Sequence, residues 1–277
     1  MNPLWKLYLF FLLCSLSAHP QEGLVALLPQ ELKESSGLIA LDTLFLSIND
    51  SGNSPTIYVF DQKGVVLNKC IVANALNIDW EALTLGENKT VYVGDFGNNK
   101  NDRRDLIIYK VNLADVLASS TVNAEKITFE YHDQTSFPPE KENFNFDAEG
   151  MVCHGDSLFV FIKNRSNPYT GIVNIYVVPN SPGHHSAKFY SSISLPNNTW
   201  FENSVTDVCI NMGSLYILTY RYIYVFHSLN TPVLLDTIEF SGVSQKEGIS
   251  YRNGALYITD EKTLLGAARL YQINYPK

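Results

Sequence analysis

Sulfur and tryptophan are scarce in this chain, and its cysteines make no metal pattern: there are four Cys, three Met and three Trp in 277 residues, with no CxxC pair and no Cys/His cluster. That leaves no cysteine-based zinc site. Charge is thin as well, at 17% with a net of -8 and no basic stripe, which removes nucleic acid from the partners because nothing is available to neutralise a phosphate backbone. After the first twenty residues no segment has the length and period of a convincing helix, and none is a transmembrane run. A Gly-x-Ser-x-Gly elbow is missing, no twelve-residue calcium loop of the EF-hand type is present, and the six His show no metal spacing.

What the chain does have is 45% hydrophobic residues, with 16 Tyr and 15 Phe. Its apolar runs are short and rich in Val, Ile, Tyr and Phe, which predicts a β-rich protein with one large core. Residues 1–6 carry a single lysine, residues 7–13 are uninterrupted apolar, and Ser15, Ser17 and Ala18 are small. This is the layout of a signal peptide over residues 1–18, predicting a secreted or periplasmic protein whose domain runs over residues 23–277. Leu13 stands where lipid attachment at Cys14 requires a small residue, which argues against a lipoprotein anchor. Cys70, Cys153 and Cys209 then remain, an odd number, and read as buried free thiols.

An internal repeat organises the rest. Five segments match: Ser36-Gly37-Leu38-Ile39, Glu81-Ala82-Leu83-Thr84, Glu149-Gly150-Met151-Val152, Thr206-Asp207-Val208-Cys209 and Glu247-Gly248-Ile249-Ser250. A second apolar run starts nine positions after Glu149, Thr206 and Glu247, with a one-residue drift in the first two repeats. A third run carries an Ile/Leu-Tyr pattern at Tyr58, Tyr109, Tyr176, Tyr224 and Tyr271, and more polar fourth strands follow in every repeat but the last. Residues 23–28 supply the missing strand. The prediction is an all-β, five-bladed β-propeller of four-stranded blades, closed by an N-terminal strand. Six blades is the alternative, requiring a hidden repeat between Glu81 and Glu149.

Equivalent positions of such a ring face one axis, so Ser36, Glu81, Glu149, Thr206 and Glu247 would crowd oxygens at one mouth, with Asp207 a possible further ligand. Carboxylates that converge without a cation repel one another or take up protons. Hard oxygen donors without imidazole or thiolate suit Ca²⁺. Ends of the second strands add Asp50 and Asp95 as candidate acids, and Lys163, Arg165 and Arg221 as a candidate anion clamp. Arg103 and Arg104 sit in the loop after Asp95. Two readings follow: a secreted calcium-binding module for a small anionic ligand or an extracellular partner protein, expected to be monomeric, or a calcium-assisted hydrolase of phosphoesters or related anionic esters. Asn49, Asn88, Asn164 and Asn198 fall in Asn-x-Ser/Thr sequons.

The ring order Ser, Glu, Glu, Thr, Glu resembles that of the calcium-activated nucleotidase (apyrase) propellers. The motifs Asp79-Trp80-Glu81-Ala82-Leu83 and Asp147-Ala148-Glu149-Gly150 are similar to those of bacterial SdiA-regulated and phytase-like, esterase-like propellers. The first resemblance implies a calcium-ligand role for Ser36, Glu81, Glu149, Thr206 and Glu247. The nucleotidase loop motifs for substrate have no counterpart in this chain.

Overall fold

The computed structural model describes residues 22–196, 199–264 and 266–276; the leader read over residues 1–18, with Cys14, and the sequon at Asn198 lie outside them. Alternating Val, Ile, Tyr and Phe runs pair as antiparallel four-stranded units. Blade 1 holds Ser35–Ala40, Leu44–Asn49, Thr56–Asp61 and Val66–Val72. Blade 2 holds Trp80–Gly86, Thr90–Asp95, Leu106–Asn112 and Glu125–Tyr131. Blade 3 holds Asp147–His154, Ser157–Lys163, Ile172–Pro179 and Gly183–Ser194. Blade 4 holds Val205–Asn211, Ser214–Thr219, Tyr222–Phe226 and Leu234–Glu239. Blade 5 holds Lys246–Arg252, Ala255–Asp260 and Arg269–Asn274, completed by Gly23–Leu27, which pairs antiparallel with Arg269–Asn274.

The first strand of each blade packs on the first strand of the next, and that of blade 5 returns to that of blade 1. The ring is therefore closed. Between Glu81 and Glu149 there is one four-stranded unit, the six-residue helix Leu113–Ala118 capped by Asn112, and the two-residue strand Thr121–Val122 alongside blade 1. No hidden blade fills the stretch. The outer edges of blades 2 and 3 also pair, in parallel, over residues 127–131 and 183–187.

The core lies between blades rather than at the axis. Trp80, Tyr109, Leu46 and Ile57 pack between blades 1 and 2, and Tyr216, Ile238, Leu256 and Ile273 between blades 4 and 5. Each such fully buried side chain contributes roughly 1.5–3 kcal/mol.

Every first strand carries a bulge. In blades 2 to 5 the residue left out of the pairing is Glu81, Glu149, Thr206 or Glu247. In blade 1 it is Gly37, so the repeat position expected at Ser36 is displaced by one residue. A bulge re-aims its extra residue, which is how a strand buried on both faces turns one side chain toward the axis. Gly37 has φ +69°, and a Cβ there would lie 2.5 Å from the Leu83 amide nitrogen, so the tight inner ring requires glycine.

Candidate metal centre at the channel mouth

The bulges of blades 2, 3 and 5 deliver Glu81, Glu149 and Glu247 to a small cavity of about 160 Å³, whose eleven lining residues are all polar. Ser36, Glu81, Glu149 and Glu247 line it from the first strands, joined by Asp50, Asn99, Lys163, Arg165, Tyr220, Gln245 and Glu261. Five carboxylates therefore meet two basic groups.

The two basic groups are committed. Lys163 ends the second strand of blade 3, and its Nζ donates to Glu149 Oε1 at 2.9 Å and to the Tyr220 hydroxyl at 3.0 Å. Burial alone would favour loss of its proton; Glu149 more than offsets this and holds the ammonium well above its usual range. Arg165 donates through Nε to Asp147 Oδ2 and through Nη2 to Glu149 Oε1 at 3.4 Å. Arg221 turns away from the cavity to Glu239, 2.6 Å distant, at an exposed edge. The clamp expected from these three residues is thus divided: two stand at the mouth, already paired, and the third is elsewhere.

The acids on the other side lack such partners. Glu81, Glu247 and Glu261 are 7%, 7% and 8% exposed, and their carboxylates accept no hydrogen bond from the described residues. Burial, then the neighbouring Glu149 and Asp50, push Glu81 well above the ordinary carboxylate range. Burial likewise raises Glu247, and burial and Asp50 push Glu261 up to about 8. Asp79, two residues upstream of the bulge, joins this group: oxygens of Asp50, Asp79 and Glu81 lie within 4.8 Å of one another. Burial and Asp50 push Asp79 up to about 6. Gly97 makes the approach of the acids possible, since a Cβ there would fall 2.4 Å from Asp79 Oδ2 and 2.7 Å from Glu81 Oε1.

Other expected site residues serve the frame. Ser36 lines the cavity while its hydroxyl donates to the Glu81 carbonyl at 3.0 Å, clamping blade 1 to blade 2. Thr206 does the same between blades 4 and 5, donating to the Lys246 carbonyl, and it does not line the cavity. Asp207 accepts from the Val208 and Ile249 amides, each at 2.8 Å, a further staple between blades 4 and 5 that turns its carboxylate away from the mouth. Asp95 sits behind Asp79, accepting from the Asp79 amide at 3.0 Å and from Arg103 at 3.1 Å. Arg103 folds back onto that loop rather than over the mouth, and Arg104 lies on the Phe137 ring, 3.6 Å from its centroid. The repeat pattern did not point to Asp79 or Tyr220; the only sequence signal for Asp79 was its place in the Asp-Trp-Glu motif.

A second cavity, of about 230 Å³, takes one or more apolar residues from each first strand, including Leu38, Leu83, Val152, Val208 and Ile249. The free thiols of Cys153 and Cys209 line it and are partly exposed there, whereas Cys70 is fully buried.

No protein-family profile and no curated protein sequence matches the chain. Solved structures do. Glutaminyl cyclase from Myxococcus xanthus superposes with a TM-score of 0.54 at 10% identity, covering 91% of this chain and 96% of its own. The PQQ-bound aldose sugar dehydrogenase of Streptomyces coelicolor superposes with a TM-score of 0.51 at 10% identity, covering 93% and 99%. The fold is a β-propeller. At such identities the likeness extends to the fold alone, and neither of these two structures is a nucleotidase. No helix among the described residues is long and apolar enough to cross a membrane.

Proposed function

We propose that the channel mouth binds a hard divalent cation, Ca²⁺, and that the protein is a calcium-dependent binding propeller acting outside the cytoplasm. The observation that carries this reading is the trio Glu81, Glu247 and Glu261, more than nine-tenths buried, facing one cavity with no hydrogen-bond donor between them. Asp50 and Asp79 add two oxygen donors beside Glu81. The set contains no soft ligand, and calcium accepts six to eight oxygens in flexible arrangements, so carbonyls and water complete its shell. Binding to the native state alone stabilises it by mass action.

Binding is favoured over hydrolysis because the basic residues that would clamp an anionic ester already hold Glu149, Asp147 and Glu239. The test is calorimetric titration of chelator-treated protein with Ca²⁺, paired with thermal melts. Saturable binding of one ion with a higher melting temperature is expected. An unchanged melt, with no metal found by elemental analysis before chelation, overturns the assignment.

A further inference from the structure

The rim above the basic side of the cavity carries one aromatic ring that the fold leaves partly uncovered. Trp200, at the start of the short helix Trp200–Asn203, is 37% exposed, whereas Trp80 is wholly buried. The Trp200 ring lies 6.4 Å from the Tyr220 ring and 5.7 Å from the Arg165 guanidinium carbon, and both of those residues line the cavity. An exposed tryptophan at the lip of a polar pocket is a platform in search of a flat apolar face.

The cavity beneath specifies the rest of the ligand. It is rich in acceptors, through Glu81, Glu247 and Glu261, and it offers the side-chain amides of Asn99 and Gln245, which have no hydrogen-bond partner among the described residues. Hydroxyl groups both donate and accept, so a polyol satisfies such walls, and adjacent hydroxyl oxygens are ligands for a hard cation. A phosphate or nucleotide needs unpaired cationic donors, and Lys163 and Arg165 are already paired. We propose that the mouth binds a sugar: the C–H face of a pyranose ring lies on Trp200, and its vicinal hydroxyls reach the calcium and the free amides. This rests on the calcium reading and adds its ligand class.

The experiment separates the two. Terbium, a luminescent stand-in for calcium, is titrated first, with Ca²⁺ as competitor, into wild type and Trp200→Ala. Both proteins are expected to bind it equally. Both proteins are then titrated calorimetrically in calcium with D-mannose, D-galactose, D-glucose and adenosine monophosphate, and both are applied to a glycan array. Saturable, chelator-sensitive binding of at least one sugar is expected, weakened about tenfold in Trp200→Ala and less in Trp200→Phe. Failure of terbium and calcium to bind overturns the metal reading and this inference with it. Metal binding without any sugar binding, sugar binding indifferent to Trp200, or tighter binding of the nucleotide than of every sugar overturns the sugar assignment and leaves the metal reading standing.

Discussion

Glu81 and Glu149 hold the same bulge position in neighbouring blades and meet opposite surroundings. Glu149 has a lysine 2.9 Å away and an arginine beyond it, supplied by the second strand of its own blade and the loop that follows. Glu81 has Asp50 and Asp79 within 4.8 Å and no cation of its own. The repeat sets where a carboxylate is delivered, and the loops around it set whether its charge is neutralised from within the chain or from outside. A ring of like residues is therefore not a ring of like surroundings, and the acids without an internal cation are concentrated on the side of blades 1, 2 and 5.

The strongest way to break this contrast is to remove the internal cation. Lys163→Met leaves Glu149 with Arg165 alone, and loss of one partner of a buried pair should cost about 3–5 kcal/mol in chemical denaturation at neutral pH. Calcium should rescue this variant more than wild type, because blade 3 then resembles blade 2; a variant as stable as wild type would show that the pair is not the neutralising element. Next in size, Glu81→Gln should weaken calcium binding by about 10–100-fold in calorimetry, while the same change at Glu149 leaves it nearly unaltered. Equal losses at the two positions would erase the distinction.

The smallest effect concerns pH. Glu261 and Asp79 have folded-state values near 8 and 6, above their ordinary 4.5 and 3.8. A raised carboxyl value means that the folded state binds more protons, so the stability of the metal-free protein is greatest at low pH with respect to these groups and declines as pH rises from about 4 toward 8. Melts in chelator at pH 5, 6.5 and 8 should fall in that order, and saturating calcium should flatten the trend. A metal-free protein that gains stability over this range would place the unneutralised charge elsewhere.

Much of the architecture was legible in the chain because a blade repeats its chemistry: the apolar step nine residues after Glu149, Thr206 and Glu247, and the tyrosine of each third strand, mark the hairpins without reference to long-range contacts. The strand at 23–28 announced itself as the unit missing from the last blade. What was not legible depends on where a hydroxyl or carboxylate turns once it arrives. Ser36 and Thr206 spend their donors on carbonyls of the next blade, Asp207 caps two amides, and Arg221 reaches Glu239. Asp79 and Tyr220 come from connections whose course is fixed by tertiary packing, with no repeat to reveal them. The one-residue displacement to Gly37 was hidden because spacing cannot distinguish a bulge from a longer hairpin.

The pairing of Gly23–Leu27 with Arg269–Asn274 also orders events in time. Four blades are assembled from neighbouring stretches of chain, whereas the fifth waits for strands far apart in sequence, the longest loop closure among the described residues. As the polypeptide emerges from the ribosome, Gly23–Leu27 must remain unpaired until Arg269–Asn274 follows it. The last blade is thus a latch, set only once Arg269–Asn274 has been made, and the mouth lined by Glu247 and Glu261 takes its final shape with it.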